Sequence, residues 1–135
     1  MTTLVALISS GKGTWAQVLS LISAQKWDKV YLICSEFAHE NFQMDPLKAT
    51  KLKIDETKPE QSYKQLAEFF KKEVKDFEVA LNLFSGSGME HMIVLDAILK
   101  AGLGIRMVYI DAQKQVKEFE LLEQKFSMEE DDGFY

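Results

Sequence analysis

The 135-residue chain reads as an α/β protein: a doubly wound, mainly parallel, five-stranded Rossmann-like sheet with helices on both faces. Three observations predict it. Short apolar runs of strand length alternate with stretches in which apolar residues recur three and four positions apart, the spacing of one helix face. The first run, Thr3 to Ile8, is apolar without interruption from Leu4, as a central parallel strand buried on both faces must be. Two strand-to-helix transitions also pass through paired glycines, Gly11 with Gly13 and Gly86 with Gly88.

Each element follows from its own pattern. After the first strand and the turn Ser9-Ser10-Gly11, the residues Trp15, Val18, Leu19 and Ile22 mark a helix. Lys29 to Cys34 is the second strand, with Ser35 and Glu36 at the end where a ligand would sit. Residues 36 to 44 form a short helix before Pro46. Thr50 to Ile54 alternates polar and apolar residues, which suits a third strand near an edge with its lysines facing out. Pro59 opens a long amphipathic helix carried by Tyr63, Leu66, Phe69, Phe70, Val74 and Phe77. Val79 to Phe84 is the fourth strand. The helix after it, Met89 to Leu99, is apolar on most sides except Glu90, His91, Asp96 and Lys100, so a second surface such as another subunit is expected against it. Gly102 stops that helix. Gly104 to Ile110 is the fifth strand, ending at Asp111, and Gln113 to Lys125 reads as a last helix on Val116, Phe119, Leu122 and Phe126. Residues 1 to 126 thus make one domain, and 127 to 135 an acidic tail with the composition of a disordered segment.

Bulk composition narrows the function. The net charge of -5 is uneven: residues 116 to 135 carry seven acids and two lysines, which leaves the rest of the chain neutral. A broad nucleic-acid surface would need a basic excess, so no extended one is expected. No apolar run approaches the roughly 20 residues that span a bilayer, and no signal-peptide pattern opens the chain. The single cysteine, Cys34, allows neither a disulfide framework nor a thiolate metal cluster and fits a reducing cytoplasm.

A strand that breaks into a glycine turn and re-forms as a helix leaves several backbone N–H groups aimed at one small volume, the outline of an anion site. The turn around Ser9, Ser10, Gly11, Lys12, Gly13 and Thr14 and the turn around Ser85, Gly86, Ser87 and Gly88 would lie side by side where the strand order reverses, and ligands collect in that crevice. The serines serve ordinary turn chemistry, or they join the amides in holding phosphate oxygens and ribose hydroxyls. Lys12 adds a cation, and His91 stands in the first turn of the following helix.

Sharper motifs are weaker. Gly11-Lys12-Gly13-Thr14-Trp15-Ala16 fits G-x-G-x-x-(G/A), with Glu36 after the next strand to hold a ribose, which leaves a small NAD- or flavin-binding module as an alternative. Against it stand the short chain and the absence of a substrate domain. A P-loop is excluded, because Ala6 and Gly13 stand where glycine and the hydroxyl are required. A hydrolase elbow fails because Gly86-Ser87-Gly88 is too tight. His39 and His91 are too far apart for a metal pair, Arg106 suits an ion pair away from the proposed site, and Cys34 suits the core. Neither a metal nor a resident cofactor is expected. A non-enzymatic interaction protein that docks through its acidic tail is a third reading.

With Ser9-Ser10-Gly11 closing the first strand and Asn82-x-x-Ser85-Gly86-x-Gly88 closing the fourth, the chain resembles the CRISPR-associated Rossmann fold family over roughly residues 3 to 111. That resemblance implies a homodimer binding a cyclic oligoadenylate across its two-fold axis with both loops of each subunit, as a stand-alone sensor or slow ring nuclease. The fused effector usual in the family has no room in the residues after the last strand. Members that cleave the ring resemble one another in a first-loop serine and a fourth-strand-loop lysine. Met89 occupies the lysine position here, so Ser10 and Lys12 would carry any metal-independent cleavage, through positioning and charge neutralisation.

Overall fold

The computed structural model describes residues 2–45 and 48–120. Among these residues strands and α-helices alternate as far as β5, and β6 then follows it directly: β1 Thr3–Ile8, α1 Trp15–Ala24, β2 Lys29–Cys34, α2 Glu36–Asn41, β3 Thr50–Lys53, α3 Pro59–Glu73, β4 Glu78–Asn82, α4 Gly88–Lys100, β5 Gly104–Ile110 and β6 Val116–Glu118. The sheet order is β3-β2-β1-β4-β5-β6, with every pair parallel except β5 and β6. The chain winds outward from β1 to β3, returns to β4 beside β1, and winds outward again. The reversal falls between β1 and β4, at the two glycine turns.

The core splits by strand alternation. Val5, Leu7, Ile33 and Leu81 face α3 and α4, packing against Leu66, Phe70, Ile93 and Ile98. Leu4, Ala6, Ile8, Leu32 and Cys34 face the other way, onto Val18, Leu21 and Phe42. Burial on both faces explains why β1 and β2 read as continuous apolar runs. Cys34 is a core residue, as expected, and burial pushes its thiol pKa up to about 11.

Four expectations need correction. The sheet has six strands, because the last helix expected over Gln113 to Lys125 is replaced up to Glu118 by a hairpin. Asp111 Oδ1 accepts from the N–H groups of Gln113 and Gln115, Lys114 takes φ 63°, and the chain reverses to lay Val116 opposite Ile110. Local side-chain bonding of this kind competes with helix formation. The third helix ends at Glu73, not Phe77: Val74 caps it and Phe77 is 95% exposed. Of the two β3 lysines, only Lys53 faces out. Lys51 Nζ donates to the carbonyls of His39 (2.7 Å) and Phe42 (2.8 Å), closing the C-terminal end of α2. Glu90, expected on the polar side of α4, is 2% exposed. Arg106 pairs with Glu118 and Glu78, as expected. The acidic tail 127–135, and the expected helix beyond Glu120, lie outside the described residues.

Candidate ligand site

The two glycine turns are joined by a buried hydrogen-bond network. Ser9 N–H donates to Ser85 Oγ (3.1 Å) and Ser9 Oγ donates to Glu90 Oε1 (2.8 Å). The same Oε1 accepts from the Ser87 N–H (2.9 Å), while Ser87 Oγ accepts from the Glu90 N–H (3.1 Å), a complete capping box at the start of α4. Thr14 Oγ1 reaches Ser85 Oγ at 2.7 Å and donates to Gly11 O at 2.8 Å. Trp15 Nε1 donates to Ser9 O (2.7 Å), and His91 Nε2 lies 2.9 Å from Ser85 O. Since a carbonyl only accepts, His91 carries its proton on Nε2.

Six of the residues singled out in the sequence therefore meet: Ser9, Thr14, Ser85, Ser87, His91 and, through its φ of 108°, Gly86. Gly86 is required there, since a Cβ would collide with Leu7 Cδ2 in the core below. The floor of the expected hollow is closed by these side chains. What stays open is a lip formed by Ser10, Gly11, Lys12 and Gly13 on one turn and Gly86 and Gly88 on the other, all exposed. Ser10 Oγ has no hydrogen-bond partner among the described residues. Gly88 is the first residue of α4, whose N-terminal amides and dipole favour an anion at this lip.

Two of the singled-out residues lean away. Lys12 Nζ rests over the rings of Trp15 (5.9 Å) and Phe37 (5.4 Å), on the β2 side of the lip. Glu36, in the first turn of α2, pairs loosely with Lys53 at 3.9 Å and is exposed.

Sequence reading gave no site role to three participants. Glu90 carries the network, and the spacing Ser87-x-x-Glu90 is a capping-box signature that could have found it. Asn82 links the ends of β4 and β5, its Nδ2 donating to Val108 O (2.9 Å) and its Oδ1 accepting from Phe84 N–H (3.2 Å). Glu56 accepts from Ser87 Oγ at 2.6 Å and brings a carboxylate to the α4 N-terminus. No local signal marks Glu56, because the contact depends on the loop after β3 folding across to α4. Among the described residues, no group of three histidine, cysteine or acidic side chains could hold a metal ion, and no helix is long and apolar enough to cross a membrane.

No protein-family model matches the chain, and no curated protein matches it in sequence. Among solved structures, its fold is similar to that of Csm6 from Enterococcus italicus, bound to cyclic hexa-2'-fluoro-hexa-dAMP, with a TM-score of 0.56 and 14% identity. The match covers 87% of this chain and 35% of that one, so this chain spans about a third of the neighbour's length. At this identity the likeness establishes the fold alone: an open, mainly parallel α/β sheet wound in both directions from its first strand.

Proposed function

We propose that the chain binds a nucleotide-like, phosphate-bearing ligand, most specifically a cyclic oligoadenylate, on the lip between the β1 and β4 turns, as a sensor in the cytoplasm. The observation that carries this reading is the locking of the two turns together at the reversal of strand order, by Ser9, Ser85 and Glu90. Open α/β sheets bind ligands at that point. The neighbour of like fold holding a cyclic adenylate supports the ligand class. In this reading Ser9 and Ser85 hold the turns in register. Ser10, Gly11, Lys12, Gly13, Gly86 and Gly88 meet the phosphates, with Ser87, Thr14 and His91 behind them and Glu36 available to a ribose at the rim.

The partner surface in this reading is the exposed side of α4. Met89, Met92, Leu95 and Leu99 leave a run of apolar surface along one helix, with Met92 and Leu99 each 59% exposed. A second copy packed there would bury it and place two ligand lips beside each other. If the ring is cut, the free Ser10 hydroxyl and Lys12 ammonium are the groups that would orient the ribose and neutralise developing charge.

Calorimetric titration with cyclic tetra-adenylate and cyclic hexa-adenylate, with NAD as a separate arm, tests the reading. Saturable heat with a cyclic adenylate alone is expected. Heat with NAD alone would move the assignment to a dinucleotide module, and heat with none would remove both. Chromatography of the incubated ligand reads cleavage, and sedimentation reads the dimer.

A further inference from the structure

Beside the two turns lies a cavity of about 380 Å³ that the hydrogen-bond network does not use, bounded by the ends of β4 and β5, the segment after β6 and the second half-turn of α1. Its lining is mostly apolar and carries no acidic, basic or histidine side chain. Two rings at its edge, Phe84 and Phe119, are more than half exposed. Phe119 is held by Tyr109, their ring centroids 4.8 Å apart, and by its own N–H donating to Met107 O at 2.9 Å. Two side-chain amides enter this apolar surface. That of Asn82 is fully engaged with Val108 and Phe84. That of Gln17 has no hydrogen-bond partner among the described residues.

Aromatic faces with one free amide, able both to donate and to accept, match the needs of a purine: the ring stacks and the amide reads its edge. A phosphate finds no counter-charge here, so the cavity complements the lip and does not duplicate it. Its volume lies at the small end of ligand pockets, roughly 300 to 1,000 Å³, which suits one nucleoside and not a whole cyclic ligand. Chain continuity joins the two places. Phe84 immediately precedes Ser85, and Gln17 lies three residues beyond Thr14.

We infer that this cavity is a purine subsite, in which one base of the ligand stacks on Phe84 and Phe119 and is read by Gln17 while its phosphate sits on the adjoining lip. The inference rests on the nucleotide-binding reading above for the identity of the ligand, and on the cavity itself for the base.

The experiment is an NMR titration of the full chain with AMP, with ribose 5-phosphate and with cyclic tetra-adenylate, repeated on Phe119→Ala and Gln17→Ala. AMP and the cyclic ligand should shift the Gln17 side-chain amide and the Met107 methyl, whereas ribose 5-phosphate should shift only the lip. Phe119→Ala should weaken AMP and cyclic tetra-adenylate about tenfold, as loss of one stacking ring does, and leave ribose 5-phosphate unchanged. Phe119 is exposed, so thermal melting should confirm that this variant folds. Cyclic tetra-adenylate bound with shifts confined to the lip, and with unaltered affinity in Phe119→Ala, would overturn the subsite and spare the nucleotide reading. AMP entering the cavity without any binding of the cyclic ligand would keep the subsite and discard the cyclic ligand. Silence from the Gln17 and Met107 signals with every adenylate would end the inference.

Discussion

Replacing Glu90 tests whether its carboxylate fastens the β1 turn to the β4 turn. One oxygen accepts from both Ser9 Oγ and Ser87 N–H, and the side chain is all but sealed from solvent. A hydrogen bond to a charged group contributes about 1.5 to 3 kcal/mol, and a buried donor left without an acceptor costs about 1 to 3 kcal/mol. The two bonds share an oxygen and are not additive. Ser87 is only half-buried, so water can partly replace its acceptor, whereas Ser9 is buried and water cannot. Glu90→Ala should therefore lose about 3 kcal/mol of stability. Glu90→Gln, which keeps an acceptor oxygen in nearly the same place, should lose about 1 kcal/mol. Urea unfolding followed by circular dichroism reads both, with an unchanged m-value because the surface exposed on unfolding stays the same. In a double-mutant cycle with Ser9→Ala, a coupling of about 1 kcal/mol or more is expected. Glu90→Ala within about 0.5 kcal/mol of the parent, or a coupling near zero, would refute the idea that this contact holds the turns together.

Four further outcomes are expected. Gly86→Ala should cost about 2 to 5 kcal/mol in the same unfolding assay, the sum of left-handed backbone strain and a methyl forced against Leu7. Lys12→Ala should weaken ligand binding by about 1.5 to 3 kcal/mol, as loss of one charge-assisted contact would, with only the small fall in melting temperature that losing its contacts over the Trp15 and Phe37 rings brings; equal affinity would remove Lys12 from the site. Glu56→Gln should tighten binding of an anionic ligand, because it removes a negative charge from the α4 N-terminus; unchanged affinity would place the ligand elsewhere. Cys34 should resist a thiol reagent at pH 8 until the chain unfolds. Its folded pKa of about 11 lies above that of an unfolded thiol, so its contribution to stability is complete below about pH 8.5 and declines as pH rises toward 11. Rapid labelling of the native protein would contradict that burial.

The parallel core was legible because burial on two faces writes itself as an uninterrupted apolar run: the boundaries of β1 and β2 follow directly from it. The adjacency of the two turns was legible too, since alternating strands and helices with paired glycines restrict the winding. What escaped depends on contacts distant in sequence or on one polar atom. The spacing of Val116 and Phe119 suits a helix as well as a short strand, and the Asp111 carboxylate decides between them by bonding two backbone amides. Phe77 continues the α3 periodicity in letters, but the chain has already turned to deliver β4. Glu90 looks like a solvent residue until Ser9, 81 positions earlier, is brought to it. The cavity could not be read at all, because its walls come from α1, β4, β5 and the segment after β6.

The two rims of the sheet constrain how copies of this chain can associate. β3 is four residues long with two lysines, and β6 is three residues long with Lys117 and Glu118 exposed. Short, charged border strands discourage another chain from extending the ladder, which is the usual route from an open sheet to fibrils. The proposed contact on α4 uses side-chain packing instead, so two copies meeting there would leave both rims of the sheet uninvolved.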